Sequence, residues 1–116
     1  SKGNGRSERM NRTLRESARC MLAGTNLDES YWTWAIRTAA YVHNLTGKSP
    51  FVPDKTPYEL IFGLKPNVSK LRPFGSKCYV RKIKSRQWET GAEIATLLGY
   101  DDAAEVYVVQ TKGGIV

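Results

Sequence analysis

The chain has 116 residues, the length of one small domain or of two smaller pieces of a larger protein, and no run of about 18 apolar residues that would indicate a membrane partner. Its 18 Lys and Arg against 11 Asp and Glu give a formal charge of +7, which favours a polyanionic partner such as nucleic acid. The two cysteines and the single histidine do not match the ligand spacing of a zinc site, and we expect Cys20 and Cys78 to be packing residues.

The first predicted element is a helix from about Arg6 to Ala23. Its apolar residues recur at steps of three and four, so one face points at a core: Met10, Leu14, Ala18, Met21 and Leu22. A second stripe, which we expect to face solvent or a ligand, contains Glu8, Arg12, Arg15 and Arg19. The glycines in residues 3–5 predict a flexible loop that leads into this helix.

A second helix is predicted from an N-cap at Asp28 to about Leu45, and it forms a hairpin with the first. Its expected buried face contains Trp32, Ala35, Ile36, Ala39 and either Val42 or His43. We expect His43 to be a hydrogen-bonded residue at the helix end, because no second metal ligand is within helical reach.

A short third helix is predicted in the stretch TPYELIFG, residues 56–63. Thr56 has the character of an N-cap, Pro57 suits the first helical position, and Glu59 completes a capping box. Gly63 then supplies the left-handed residue that ends a helix of about two turns.

From about residue 75 the pattern changes to short runs of β-branched and aromatic residues joined by turns. We predict strands from Lys77 to Ile83, from Ile94 to Tyr100 and from Val106 to Gln110, with a fourth over 114–116, in a small sheet or barrel. The predicted fold class is therefore α+β, with a helical part in residues 1–66 and a small β-rich domain in residues 67–116.

Two interpretations of the arginine stripe remain open. The first is a solvated helix face with ion pairs between residues four apart, such as Arg12 with Glu16. The second is a phosphate-binding surface, because the arginines outnumber the carboxylates that Glu8 and Glu16 provide. The basic stretch 77–86 has the same two interpretations. In the first, a strand presents basic side chains to phosphate: Lys77, one of Arg81 and Lys82, and one of Lys84 and Arg86. In the second, it is an edge strand whose lysines protect it from aggregation.

The first helix begins with the pattern Asn4-Gly5-x-x-Glu8-Arg9-x-Asn11-Arg12. This pattern resembles the last catalytic motif of retroelement integrases, specifically those of copia-type long-terminal-repeat retrotransposons. The resemblance continues in order, at similar spacing, through RTLRESARCML, YWTWAIRTAAYVHN, TPYELIFGLKP and LRPFGSKCYV to about residue 80. The remainder is similar to the family more loosely, through LLGYDDAAEVYVV.

The resemblance implies the helical end of a ribonuclease H-like integrase core in residues 1–66 and the start of the integrase C-terminal region in residues 67–116. It implies DNA integration by the parent protein, through magnesium-dependent processing and strand transfer, with Glu8 as the catalytic and metal-binding glutamate. Together with the basic pattern, it indicates the following DNA-binding residues: Asn4, Gly5, Arg9, Asn11, Arg12, Arg15, Arg19, Lys77, Arg81 and Lys84.

In this family two aspartates upstream of the glutamate complete the metal site, and the present sequence does not include them. We therefore expect Mg²⁺ to be a cofactor of the complete parent enzyme, while this chain alone binds no metal productively and is inactive. The implied partners are double-stranded DNA and the rest of the integrase polyprotein, in the nucleus and cytoplasm, without secretion. A homo-oligomer is also expected, because Met10, Leu14 and Met21 would lack partners on a first helix without its sheet.

Two other functions remain open at this stage. One is a non-catalytic nucleic-acid-binding or protein-interaction module derived from a decayed or domesticated retroelement. The other is a helical scaffold whose basic faces only solvate it, which predicts no DNA binding at low salt.

Overall fold

In the computed structural model, the described residues are 2–49, 52, 54–83, 90–101 and 106–116. They form an α+β fold of three α-helices followed by a four-stranded antiparallel sheet, which confirms the predicted class. The two long helices, α1 (Lys2–Ala23) and α2 (Trp32–Thr46), pack against each other as the predicted hairpin.

Helix α1 begins earlier than expected, so the prediction of a loop at residues 3–5 was wrong. Glycine lowers helix stability by about 1 kcal/mol without preventing helical dihedral angles, and no proline interrupts this stretch. Adding a turn to an existing helix costs much less than nucleating a new one, so the helix propagates through the glycines. Arg9 also supports this turn, because its Nε donates a hydrogen bond of 3.3 Å to the Gly5 carbonyl oxygen.

The turn between α1 and α2 is held by short polar side chains. Thr25 Oγ1 donates to the Leu22 carbonyl oxygen at 2.7 Å and accepts from the Leu27 amide at 3.1 Å. Asp28 accepts from the Ser30 amide at 3.0 Å and so caps a 3-10 turn (Glu29–Tyr31) that leads directly into α2. The predicted cap is therefore present, although it belongs to the turn and α2 itself begins at Trp32.

The third helix, α3 (Pro57–Phe62), has the predicted caps at both ends. Thr56 Oγ1 accepts a hydrogen bond of 3.2 Å from the Glu59 amide, and Pro57 occupies the first helical turn. Gly63 ends the helix with a φ of 74°, a left-handed conformation that glycine adopts without steric cost.

The four strands are β1 (Lys77–Ile83), β2 (Thr90–Asp101), β3 (Val106–Thr111) and β4 (Gly114–Ile115), and they pair in chain order. The described strands thus form an antiparallel meander, and the sheet alternative of our prediction is the one observed. The bounds of β1 are those predicted, whereas β2 begins at Thr90 instead of Ile94. Between Leu97 and Gly99 the β2–β3 register shifts, which is the signature of a β-bulge.

One buried cluster connects the helices to the sheet and contains Ala18, Ala35, Ala39, Phe74 and Leu98. Thr38 on α2 is 3% exposed, and its hydroxyl donates a hydrogen bond of 2.8 Å to the Leu98 carbonyl oxygen at the bulge. This bond satisfies a buried backbone acceptor at the irregular point of the ladder. The cluster includes residues on both sides of the predicted boundary near residue 66, and the division into two domains stays a prediction.

The molecule is elongated, with extents of 61 × 33 × 18 Å and a radius of gyration of 17.1 Å. A compact domain of 100 residues has a radius of gyration of about 13 Å. Only the second half of α1 packs on the core, through Leu14, Ala18, Met21 and Leu22. The expectation that Leu14 and Met21 would lack partners was therefore wrong, because α2 provides them.

Candidate nucleic-acid interface

The predicted polar stripe of α1 lies on the protein surface. All of the following side chains are exposed: Glu8, Arg9, Asn11, Arg12, Arg15 and Arg19. Their spacing follows the helical repeat, so the same geometry that buries Ala18 directs these side chains to solvent. Asn4 and Gly5 lie within the helix instead of in a loop, and Gly5 is half-buried.

Most of the positive charge on α1 has no ion-pair partner within the described part of the chain. Arg12 and Glu16 approach to 3.6 Å, with side-chain exposures of 75% and 66%, so this predicted ion pair is present. An exposed pair of this kind contributes about 0.3–0.5 kcal/mol. Among the described residues, Arg15 and Arg19 have no such partner, and their guanidinium groups are available to an anionic ligand.

Glu8 does not form a metal site with its described neighbours. The described residues contain no group of three or more His, Cys, Asp or Glu side chains that could hold a metal ion. Magnesium favours several oxygen ligands in octahedral geometry, and one exposed carboxylate provides too few of them. The described residues therefore do not fit a magnesium site on their own.

Strand β1 presents a second basic surface, which we call the β1 face: Lys77, Tyr79 and Arg81. These alternate side chains are exposed, while Cys78 and Val80 pack against a second core cluster of Ala95, Leu97 and Val109. Burial raises the pKa of the Cys78 thiol, and this thiol donates a hydrogen bond of 3.3 Å to the Ala95 carbonyl oxygen. Lys84, also predicted to bind DNA, lies outside the described residues.

Tyr79 was not singled out from the sequence, although it is 68% exposed between the two basic residues of the β1 face. The alternation in KCYVR predicts the exposure of Tyr79, because a period of two places residues 77, 79 and 81 on one face of a strand. Only the charged residues of this stretch were predicted to contact phosphate. Opposite Tyr79 on β2 lies Ile94, which is 54% exposed.

Two expectations about other chemically active side chains were wrong. Cys20 is exposed on α1 instead of packed, because it lies about 200° around the helix from the buried Ala18, away from the apolar stripe. His43 is half-buried, and its Nε2 has no hydrogen-bond partner among the described residues. The packing of α2 thus covers this nitrogen without supplying a donor or acceptor.

An aromatic groove of about 560 Å³ lies between α2, α3 and the sheet. Tyr41 and Tyr100 stack with ring centroids 4.6 Å apart, and Tyr107 lies 5.6 Å from Tyr100. The Tyr100 hydroxyl accepts from the Arg72 amide at 2.9 Å and donates to the Arg72 carbonyl oxygen at 3.1 Å, while the Tyr107 hydroxyl donates to the Lys70 carbonyl oxygen at 2.6 Å. Tyr100 and Tyr107 therefore attach residues 70–72 to the sheet.

The chain is similar to the retrovirus-related Pol polyprotein from transposon RE1 of Arabidopsis thaliana, with 30% identity over 107 residues that make up 90% of this chain. The corresponding polyprotein from transposon RE2 of the same plant is 29% identical over 107 residues. Retrovirus-related Pol polyproteins of plant transposons are homologues of this chain. A third Pol homologue, from transposon TNT 1-94 of Nicotiana tabacum, is 35% identical over 86 residues, 72% of this chain.

The similarity covers a small part of each Pol homologue. The chain spans about 7% of the length of the two Arabidopsis polyproteins and 6% of the Nicotiana one. No family model matches the chain, and no solved structure matches it.

None of the helices in the described residues is both long and apolar enough to cross a membrane.

Proposed function

We propose that this chain is an integrase segment of a copia-type retrotransposon Pol polyprotein and that α1 binds the DNA backbone. The observation that carries the proposal is the row of exposed arginines on α1, of which Arg15 and Arg19 have no ion-pair partner in the described part. The Pol homologues support the retroelement origin, and the motif that begins at Asn4 supports the integrase assignment.

The geometry of α1 suits a long polyanion. Arg9 and Arg19 are separated by about 15 Å along the helix axis, at 1.5 Å per residue. One DNA strand advances about 3.4 Å per nucleotide, so the row matches the length of roughly four phosphates. The N-terminal half of α1 extends beyond the core, which leaves this surface open to a rod-shaped ligand.

In the complete parent protein, residues 1–66 would form the end of a ribonuclease H-like catalytic core. Glu8 would be one of its metal-binding carboxylates, and the other ligands would come from elsewhere in the polyprotein. Magnesium would there supply Lewis-acid chemistry at a phosphodiester. The parent would act on double-stranded DNA in the nucleus and cytoplasm, with the rest of the polyprotein and further copies of itself as partners.

The first test measures duplex binding by the whole chain as a function of salt. Raising the salt from about 50 to 200 mM should weaken binding at least tenfold, because each neutralised phosphate releases counterions. The triple variant Arg12→Gln, Arg15→Gln, Arg19→Gln should also reduce the slope of log K against log salt by about 2 to 3. Fluorescence anisotropy with a labelled duplex of about 15 base pairs measures both quantities.

A matched control removes the same number of charges from the connecting segments, through Lys48→Gln, Lys55→Gln and Lys65→Gln. All three lysines are exposed and lie outside α1. The control should retain most of the salt slope. Equal losses in the two triple variants would show that net charge, and not the α1 surface, determines binding, and binding that does not respond to salt would contradict phosphate contacts.

A non-catalytic module derived from a decayed or domesticated element is the second candidate. What supports it is the exposed basic surface of α1, which needs no metal ion to contact phosphates. Sequencing the parent transcript distinguishes the two. Two in-frame aspartates on predicted strands upstream of Glu8 favour the enzyme, and a start or stop codon in their place favours the module.

A further inference from the structure

We propose that the β1 face binds unpaired nucleotides, with Tyr79 stacking on a base while Lys77 and Arg81 contact the neighbouring phosphates. This inference rests on the proposed nucleic-acid function and deepens it, because it assigns a class of nucleic acid to a second surface and a role to an aromatic residue. Strand β1 is an edge strand of the described sheet, paired with β2 on one side.

The three side chains are arranged along one line on this strand. Residues two apart on a strand lie about 6.6 Å from each other on the same face, so a basic residue is attached to the strand about that far from Tyr79 on each side. Tyr79 is 68% exposed, and its ring is open to a ligand. A single-stranded backbone that crosses this face could place one base on the ring and a phosphate near each cation.

The surroundings of the β1 face favour an anion. The cross-strand partners of its three residues are the uncharged Thr96, Ile94 and Ala92. Glu93, a carboxylate of β2, pairs with Val80 and therefore belongs to the other face, where it accepts a hydrogen bond of 3.0 Å from the Lys112 amide. The charge next to Tyr79 on these paired strands is thus positive and without a neighbouring carboxylate.

Protection of an edge strand from aggregation explains only part of this surface. Lysine and arginine on an edge strand do prevent pairing with other chains. A large exposed aromatic ring opposite an exposed isoleucine has the reverse effect, because it adds apolar surface at the same edge. A base-stacking role accounts for both the cations and the ring.

Stacking also provides selectivity. A base in a duplex has both faces covered by its neighbours, whereas an unpaired base offers its π-face to an aromatic side chain. Duplex DNA would therefore use only the two cations of the β1 face. Single-stranded DNA or RNA would use the cations and the ring, without preference for a particular base.

The test compares Tyr79→Leu with Tyr79→Phe in the whole chain, using a labelled 15-nucleotide oligothymidylate and a duplex of the same length. Tyr79→Leu should weaken oligothymidylate binding about tenfold, since stacking on one base is worth about 1–3 kcal/mol, and should change duplex binding less than twofold. Tyr79→Phe retains the ring and should stay within about twofold for both probes. Phe62→Ala is the control for loss of an aromatic ring elsewhere, because Phe62 is 60% exposed on α3, and it should change neither affinity.

Far-UV circular dichroism and thermal melting of each variant establish that the fold is retained. Unchanged oligothymidylate binding in Tyr79→Leu, or an equal loss for both probes, overturns the stacking role while leaving duplex binding by α1 intact. Failure of the unmodified chain to bind either probe at low salt overturns both proposals. A variant that binds normally but loses self-association in sedimentation would assign the β1 face to a second copy of the chain and would also overturn the inference.

Discussion

Gly75, at the turn before β1, occupies a position that no other residue fits without strain. Its φ is 79°, and its amide donates a hydrogen bond of 2.9 Å to the Leu97 carbonyl oxygen. A Cβ atom added here would lie 3.1 Å from Thr25 Cβ and closer still to Thr25 Cγ2, in the turn that follows α1. The helical hairpin and the sheet thus meet at a glycine.

We expect Gly75→Ala to lower the free energy of unfolding by about 2–4 kcal/mol, from the left-handed backbone and the overlap with Thr25. Urea denaturation measures this change. Gly91→Ala is the matched control, because its added Cβ would have no heavy atom within 4 Å, and it should change stability by less than about 1 kcal/mol. Equal stabilities of the two variants would contradict the close approach at Gly75.

At the residue scale, the sequence predicted the exposure of the arginines on α1 but not the surroundings of the half-buried polar groups. Arg12, Arg15 and Arg19 lie on a surface stripe because helical spacing alone determines which side of α1 they occupy. The Nε2 of His43 has no hydrogen-bond partner in the described part of the chain, and this depends on what packs over it. Such contacts join residues distant in sequence, and no local pattern encodes them.

Helix α2 contacts α1, α3, the 3-10 turn and strand β2, and one side-chain hydroxyl bonds it to the main chain of the sheet. Thr38 donates to the Leu98 carbonyl oxygen at the β2 bulge, on the helix that also packs against α1 through Ala35 and Ala39. Trp34 on the same helix is half-buried, with the Arg37 guanidinium 5.0 Å from its ring centre.

We expect Thr38→Val to lower the free energy of unfolding by about 1–3 kcal/mol, because it fills the same volume but leaves a buried acceptor unpaired. Thr33→Val on the exposed side of α2 controls for the helix propensity of valine and should stay within about 0.5 kcal/mol. Chemical denaturation of both variants measures the difference. A loss at Thr38 no larger than that at Thr33 would show that the hydroxyl contributes no stability.

At the element scale, the most accurate predictions were those with local chemical causes. The caps of α3 at Thr56 and Gly63 are determined within eight residues, and both were predicted. The start of α1 was missed because helix propagation outweighed the glycine preference for loops. The bulge in β2 was not predicted either, since it depends on how β3 and α2 meet that strand.

The shared core has a consequence for the whole molecule, since residues 1–66 and 67–116 both contribute to it. Ala18, Ala35 and Ala39 come from the helices, and Phe74 and Leu98 come from the second part. Trp32 and Trp34 pack against this cluster, so in a Trp88→Phe background the tryptophan fluorescence reports on it. Far-UV circular dichroism reports on the helices.

We expect the two signals to give coincident urea transitions, because a common core couples the two parts into one cooperative unit. Thr38→Val should shift both transitions together. Two separated transitions would instead support independent domains on either side of residue 66. Concentration dependence of the midpoint, measured in parallel, would report the homo-oligomer that we propose for the parent protein.

The tyrosines that attach residues 70–72 to the sheet also indicate how this region can diverge between relatives. Tyr100 bonds to main-chain atoms of Arg72, and Tyr107 bonds to the main-chain carbonyl oxygen of Lys70. Every residue type has these main-chain atoms, except that proline lacks the amide hydrogen. Substitution at positions 70 and 72 therefore leaves the attachment in place. Replacing Tyr100 by phenylalanine removes the bonds to Arg72, and replacing Tyr107 removes the bond to Lys70. Sequence drift in this segment can alter its charge and shape while its path along the sheet stays constant.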